Sequence, residues 1–156
     1  MVDLAVALLF GLCIGSFLNV CVARIPLDIS VISPRSRCPK CETLIAGYDN
    51  LPLLSYALLG GRCRSCRTSI SLRYPCVEGL AGIISVLLAL QYGLSVSWAV
   101  YLTFSASMIV LILIDLDHHI LPDVITLNGV WIGILVSLYL AFPSPFAQRL
   151  YAFAGI

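Results

Sequence analysis

Two groups of residues in this 156-residue chain have the types and spacing that do chemistry. The first is Ile114-Asp-Leu-Asp-His-His-Ile-Leu-Pro-Asp123, where three carboxylates and two imidazoles follow one long apolar run and precede another. Charge at the edge of a membrane span is costly, so an ionisable residue there is a functional-site hypothesis by default. The second is a pair of knuckles, Cys38-Pro-Lys-Cys41 and Cys63-Arg-Ser-Cys66, with twenty-one residues between them.

The acidic cluster admits three chemistries. In an aspartic protease two carboxylates share one proton and hold a water between them, one acting as base and the other as acid. Asp115 is the best candidate for one of the pair, because it directly follows Leu111-Ile-Leu-Ile114, where burial would disfavour its charged form. Asp117 and Asp123 are better placed to hold water, end the helix or orient Asp115. A second chemistry is a metal stripe. On a continuous helix Asp115, His119 and Asp123 fall at i, i+4 and i+8 along one face. Pro122 opposes that continuity, since the residue before a proline is pushed out of helical geometry. The third is a plain polar stop at the membrane edge, a role that Lys and Arg fill more often than Asp.

The knuckles read as one tetrahedral four-thiolate zinc site, Cys38, Cys41, Cys63 and Cys66, with redox disulfides and free thiols as the alternatives. Arg37, Lys40, Arg62, Arg64 and Arg67 favour thiolate over thiol and offset the charge of such a site. Four thiolates close the coordination sphere, which assigns the metal to structure. The other cysteines, Cys13, Cys21 and Cys76, lie in or beside apolar stretches and read as small buried hydrophobes.

The elements that carry these groups follow from composition. The chain is 60% hydrophobic and 11% charged, against about 25% charged in soluble domains, so the expected fold is an all-α polytopic membrane protein in a lipid bilayer. About four transmembrane helices are expected, near 4–23, 77–92, 98–114 and 124–142, with the start of a fifth at 146–156. The first opens without a basic region or cleavage site and reads as a retained span. Gly11-x-x-x-Gly15 and Gly129-x-x-x-Gly133 read as helix-packing motifs, and Asn19 as a group that hydrogen-bonds a neighbouring helix or else reaches the site at Asp115. Trp98, Tyr92, Tyr101 and Tyr139 fall near span boundaries, as interfacial aromatics do. Residues 24–76 form a small domain between the first two spans, too small to bury much of a core and in need of a staple. Eight of the nine Lys and Arg lie between Arg24 and Arg73, which places that loop in the cytoplasm. Counting crossings puts Asp115–Asp123 on the same side. A net charge of +1 gives no case for nucleic acid.

The assembled motifs resemble one family. They are Gly15-Ser-Phe-Leu-Asn-Val20 with Arg24-Ile-Pro26, Ser36-Arg-Cys-Pro-Lys-Cys41, Asp49-Asn-Leu-Pro-Leu-Leu54, Gly61-Arg-Cys-Arg-Ser-Cys66, Ile70-Ser71, Arg73-Tyr-Pro75 with Glu78, and Asp115-Leu-Asp-His-His-Ile-Leu-Pro-Asp123. In this order they are similar to the type IV prepilin peptidases, bifunctional leader peptidase/N-methyltransferases. The resemblance implies an enzyme of the bacterial inner membrane. It would remove the basic leader from prepilins and pseudopilins on the cytoplasmic side, then methylate the new N-terminus with S-adenosylmethionine, in pilus biogenesis and type II secretion. Asp115 matches the first of the family's two aspartates, and Cys38, Cys41, Cys63 and Cys66 match its zinc ligands. Asp117, His119 and Asp123 would support Asp115, and Glu42, Asp49 or Glu78 would meet the basic leader.

The second family aspartate belongs to a Gly-x-Gly-Asp motif, and none occurs in this sequence. The chain therefore reads as an N-terminal prepilin peptidase domain, 1–92, followed by the first part of an intramembrane aspartic peptidase domain, 93–156. The rival expectation is a catalytically incomplete membrane module that binds prepilin or secretion-machinery partners through its zinc domain.

Overall fold

The computed structural model describes residues 2–141, with side chains through 138. It is helical, with no strand among the described residues. The helices are α1 (Val2–Arg24), α2 (Leu54–Leu58), α3 (Arg73–Tyr92), α4 (Val96–His118) and α5 (Asp123–Ala141). Of these, α1, α3 and α4 are long and apolar enough to cross a membrane; α5 is apolar and shorter over Asp123–Leu138. The expected fifth span and Tyr139 lie outside the residues whose side chains are described. The chain divides into two compact units, Met1–Ile120 and Leu121–Ile156.

In the first unit a ridge of small residues on α1 sets the packing. Ala7, Gly11, Gly15, Leu18 and Val22 recur every three to four positions and are buried, which is one face of a helix. A Cβ on Gly11 would lie 2.5 Å from the Ser85 Cβ, and one on Gly15 would lie 2.6 Å from the Glu78 Cα. The two glycines thus let α1 and α3 approach backbone to backbone, as the motif predicts. Gly129 and Gly133 lie on α5, in the second unit.

Three polar groups tie the apolar helices together. The fully buried Ser85 hydroxyl donates to the Ala7 carbonyl at 2.7 Å. The Trp98 indole N–H donates to the Ser85 carbonyl at 3.0 Å, bringing α4 onto α3. Asn19 Nδ2 donates to the Tyr74 carbonyl at 3.1 Å, linking α1 to α3 as the first of its two readings expects. Such bonds contribute about 0.6–2 kcal/mol each in a bilayer.

Helix α3 begins at Arg73, four residues before the expected span, because Pro75 falls in its first turn, where its missing N–H costs nothing. Gly93, with φ of 62°, ends α3, and the Ser95 hydroxyl accepts from the Trp98 N–H to start α4. Near the end of α3, Tyr92 stacks on Tyr101 of α4 with centroids 4.9 Å apart.

Helix α4 stops at His118. His119 takes a left-handed conformation, φ 53°, and its N–H bonds the Asp115 carbonyl. This corrects the metal stripe: Asp115, His119 and Asp123 do not share one continuous helix, because the chain turns at His119 and Asp123 opens α5. In the second unit α5 starts with bonds from the Ile125 and Thr126 N–H groups to the Pro122 carbonyl.

Candidate metal centre and acidic end

The loop from Ile25 to Leu72 folds around its cysteines as two copies of one turn. In the first, the Cys38 N–H bonds the Thr43 carbonyl at 3.0 Å and the Glu42 N–H bonds the Cys38 carbonyl at 2.9 Å. In the second, the Cys63 N–H bonds the Thr68 carbonyl at 2.9 Å and the Arg67 N–H bonds the Cys63 carbonyl at 3.1 Å. Each turn needs a left-handed residue, Glu42 at φ 55° and Arg67 at φ 57°. Each is closed by a short antiparallel bridge, Arg37 with Leu44 and Arg62 with Ser69. The repeat was legible as Cys-x-x-Cys-x-Thr, with Thr43 and Thr68 in matching places.

The two turns face each other and bring the four sulfurs within 4.8 Å of one another. Cys38 and Cys66 are 3.7 Å apart, Cys41 and Cys63 4.0 Å. A tetrahedral zinc with bonds of about 2.3 Å needs sulfur–sulfur edges of about 3.8 Å, so the cysteines fit a structural metal. Their protonation is uneven. The Thr43 hydroxyl, then its backbone, hold Cys41 down to about 6. Backbone bonds from Cys66 and Ser65 lower Cys63. Cys66 is pulled down by the Thr68 backbone, but burial and the three neighbouring sulfurs outweigh it and carry it up to about 11.

Below the metal site, between the loop and the facing ends of α1 and α3, lies a cavity of about 630 Å³. Asn19, Tyr48, Asp49, Ser55, Tyr56 and Glu78 are among its lining residues, with Cys38 and Cys63. Arg64 grips Asp49 with two bonds, 2.8 and 2.6 Å, and lies over the Tyr48 ring at 5.6 Å. The hydrogen bonds and charge of Arg64 hold the Asp49 carboxyl below the usual carboxylate range. Glu78, only 9% exposed, accepts from the Leu53 N–H at 2.8 Å. Leu53 sits at φ 57°, ψ −45°, and the Leu54 N–H reaches back to the Pro52 carbonyl. This is a strained γ-turn, of a kind that persists only where its surroundings hold it. Tyr56 packs on Gly61, where a Cβ would come within 2.8 Å of the ring, and its hydroxyl donates to the Ile70 carbonyl.

The acidic end of α4 shares one end of the helical unit with the loop. Arg73, the first residue of α3, donates to Asp117 and to the Leu113 carbonyl. Leu113 and Asp117 lie one turn apart on one face, so the guanidinium holds that face and caps the negative end of the helix. Asp115 projects from the opposite side and is exposed, not buried beneath the apolar run. His118 and His119 are exposed as well. Of the acids expected to meet a leader, Asp49 is taken by Arg64 and Glu78 by Leu53, while Glu42 is exposed. Sequence reasoning missed Arg73, Tyr48 and Tyr56 as site residues. Their signal was their place inside or beside Arg73-Tyr-Pro75 and Asp49-Asn-Leu-Pro52.

Three apolar spans and a four-cysteine metal loop at one end of them define a multi-pass membrane protein with a metal-stapled domain. The chain belongs to the type IV prepilin peptidases: residues 9–92 match the model of the Bacterial Peptidase A24 N-terminal domain. It is 47% identical over 133 residues to a prepilin leader peptidase/N-methyltransferase of Myxococcus xanthus, covering 85% of this chain and 38% of that protein. It is 37% identical over 158 residues to one from Pseudomonas putida, covering 87% and 55%. A type 4 prepilin-like proteins leader peptide-processing enzyme of Escherichia coli is 41% identical over 146 residues, covering 81% and 54%. The chain therefore spans between about a third and just over half of the length of these relatives. No solved structure matches it.

Proposed function

We propose that this chain is the N-terminal part of a bifunctional enzyme of the bacterial inner membrane, with its metal loop and the end of α4 facing the cytoplasm. The enzyme cuts the basic leader from prepilins and pseudopilins and methylates the exposed amine, serving pilus assembly and type II secretion. One observation carries the reading. Arg73 ties the end of the metal loop to the Asp115-bearing end of α4, so the family's two signature regions meet at one end of the helices. Relatives named for both activities supply the reaction classes.

In this reading Asp115 is one carboxylate of an aspartic protease pair. One carboxylate draws a proton from a shared water while the other protonates the departing amine. Exposed Leu116 and Ile112 offer an apolar surface to the hydrophobic segment that follows a prepilin leader. Asp117 supports Asp115 through Arg73. Zinc, held by Cys38, Cys41, Cys63 and Cys66, shapes the loop. S-adenosylmethionine supplies an activated methyl group.

The test is cleavage of a prepilin in liposomes by the chain and by Asp115→Ala, with metal content measured beside it. Cleavage that disappears with Asp115 supports the peptidase reading, and cleavage that survives Asp115→Ala overturns it. The metal loop and the cavity beneath it support a second reading, a module that binds prepilin through its metal loop. No cleavage by either protein, with metal bound and prepilin retained, is its expected result.

A further inference from the structure

We infer that the cavity beneath the metal loop is the seat of the methyl donor, with the Glu78 carboxylate facing its positive charge. The inference rests on the methyltransferase part of the reading above. Its location follows from four features of the cavity.

The first is size. About 630 Å³ falls within the range of roughly 300–1,000 Å³ typical of small-molecule sites. The second is a carboxylate with one oxygen held by the loop and the other open to the cavity. Glu78 is 9% exposed, and one of its oxygens, Oε2, accepts the Leu53 N–H. Among the described residues the other oxygen has no hydrogen-bond partner, and Glu78 is part of the cavity wall. That second oxygen opens into the cavity, where a positive or donating group of a ligand can take the place of water. The third is aromatic and polar complementarity. The exposed Tyr48 offers a ring for a flat heterocycle, and the Asn19 side-chain oxygen, whose amide nitrogen is given to Tyr74, can accept a hydrogen bond. The fourth is strain. The γ-turn at Leu53 is held in a sparsely populated conformation by Glu78 itself, and strain of this kind clusters at ligand clamps.

A sulfonium donor fits these features because its charge distinguishes it from its own product. S-adenosylmethionine carries a positive sulfur, and S-adenosylhomocysteine is neutral there. A carboxylate aimed at that atom favours the donor over the product and promotes exchange after transfer. Glu78→Gln removes the charge but keeps an oxygen that can accept the Leu53 N–H, so the turn is retained.

The experiment is calorimetric titration of S-adenosylmethionine and of S-adenosylhomocysteine into the zinc-loaded chain in detergent, repeated for Glu78→Gln and Tyr48→Ala. The expected result is that Glu78→Gln weakens the donor about tenfold and leaves the product nearly unchanged. Tyr48→Ala, at the exposed mouth of the cavity, weakens both about fivefold. If wild type binds both and neither variant matters, the donor sits elsewhere and the inference falls while the methyltransferase reading stands. If Glu78→Gln weakens donor and product equally, Glu78 only shapes the wall and its charge role is overturned. If zinc-loaded wild type binds neither, the cavity is not the donor site. Methylation of a prepilin peptide by a protein of the relatives' full length then decides the broader reading separately. Should Glu78→Gln lose its zinc, Tyr48→Ala alone decides whether the cavity is occupied.

Discussion

At the scale of single residues the metal site is a balance between protons and metal. Cys41 is held near 6 by Thr43, whereas Cys66 is raised to about 11. Bound zinc needs thiolates, so binding near neutral pH expels protons from the cysteines that still carry them. Acid restores those protons. Zinc affinity therefore falls as pH is lowered, and falls more steeply below about 6, where Cys41 also takes up a proton. Competition against a chromophoric chelator between about pH 5 and 8 measures this directly, and an affinity flat across that range would rule out four thiolate ligands. Thr43→Val tests the cause of the Cys41 shift. It removes the hydroxyl 3.4 Å from the Cys41 sulfur, and loss of such an outer-shell partner costs about 10- to 100-fold in metal affinity.

At the scale of elements the close approach of α1 and α3 depends on absent side chains. Gly15→Val would drive a branched side chain into the backbone of Val77 and Glu78, and overpacking of this kind costs about 1–3 kcal/mol. Gly79→Ala lies on the same pair of helices but faces open space, so stability there stays level or rises by about 0.5–1 kcal/mol. Unfolding in mixed micelles of graded denaturing detergent compares the two, and equal effects would mean that the helices do not meet at Gly15. This contact was legible because small residues at a spacing of four have a single strong reading in a span. The break at His119 was half legible. Pro122 warned against a continuous helix, but only the left-handed geometry of His119 fixes where α4 ends. The Arg73–Asp117 pair was not legible at all. Its partners are forty-four residues apart, and either charge alone reads as an edge-of-membrane residue. Arg73→Gln and Asp117→Asn should each free the end of α4. Because both side chains are more than a third exposed, their coupling in a double-mutant cycle should be about 0.5–1 kcal/mol.

At the scale of the whole molecule, the helices and the loop are stabilised by different means. Buried ridges and interhelical hydrogen bonds among α1, α3 and α4 do not involve Cys38, Cys41, Cys63 or Cys66. The loop has one five-residue α-helix, two 3-10 turns and two short bridges, too little to order nearly fifty residues without a staple. The cavity belongs to both, since its floor is α1 and α3 and its upper wall includes Cys38 and Cys63. Stripping the metal should therefore affect the two parts unequally. With a strong chelator the far-ultraviolet helical signal should change little, while amide exchange across residues 35–72 should accelerate to near the rate of unprotected chain. Donor binding should disappear with the loop and return when zinc is restored, because the wall that carries Tyr48 and Asp49 belongs to the same loop as the four cysteines. If donor affinity survived in the metal-free protein with the loop exchanging freely, the ligand would have to lie among the helices. The loop would then serve only to receive prepilin.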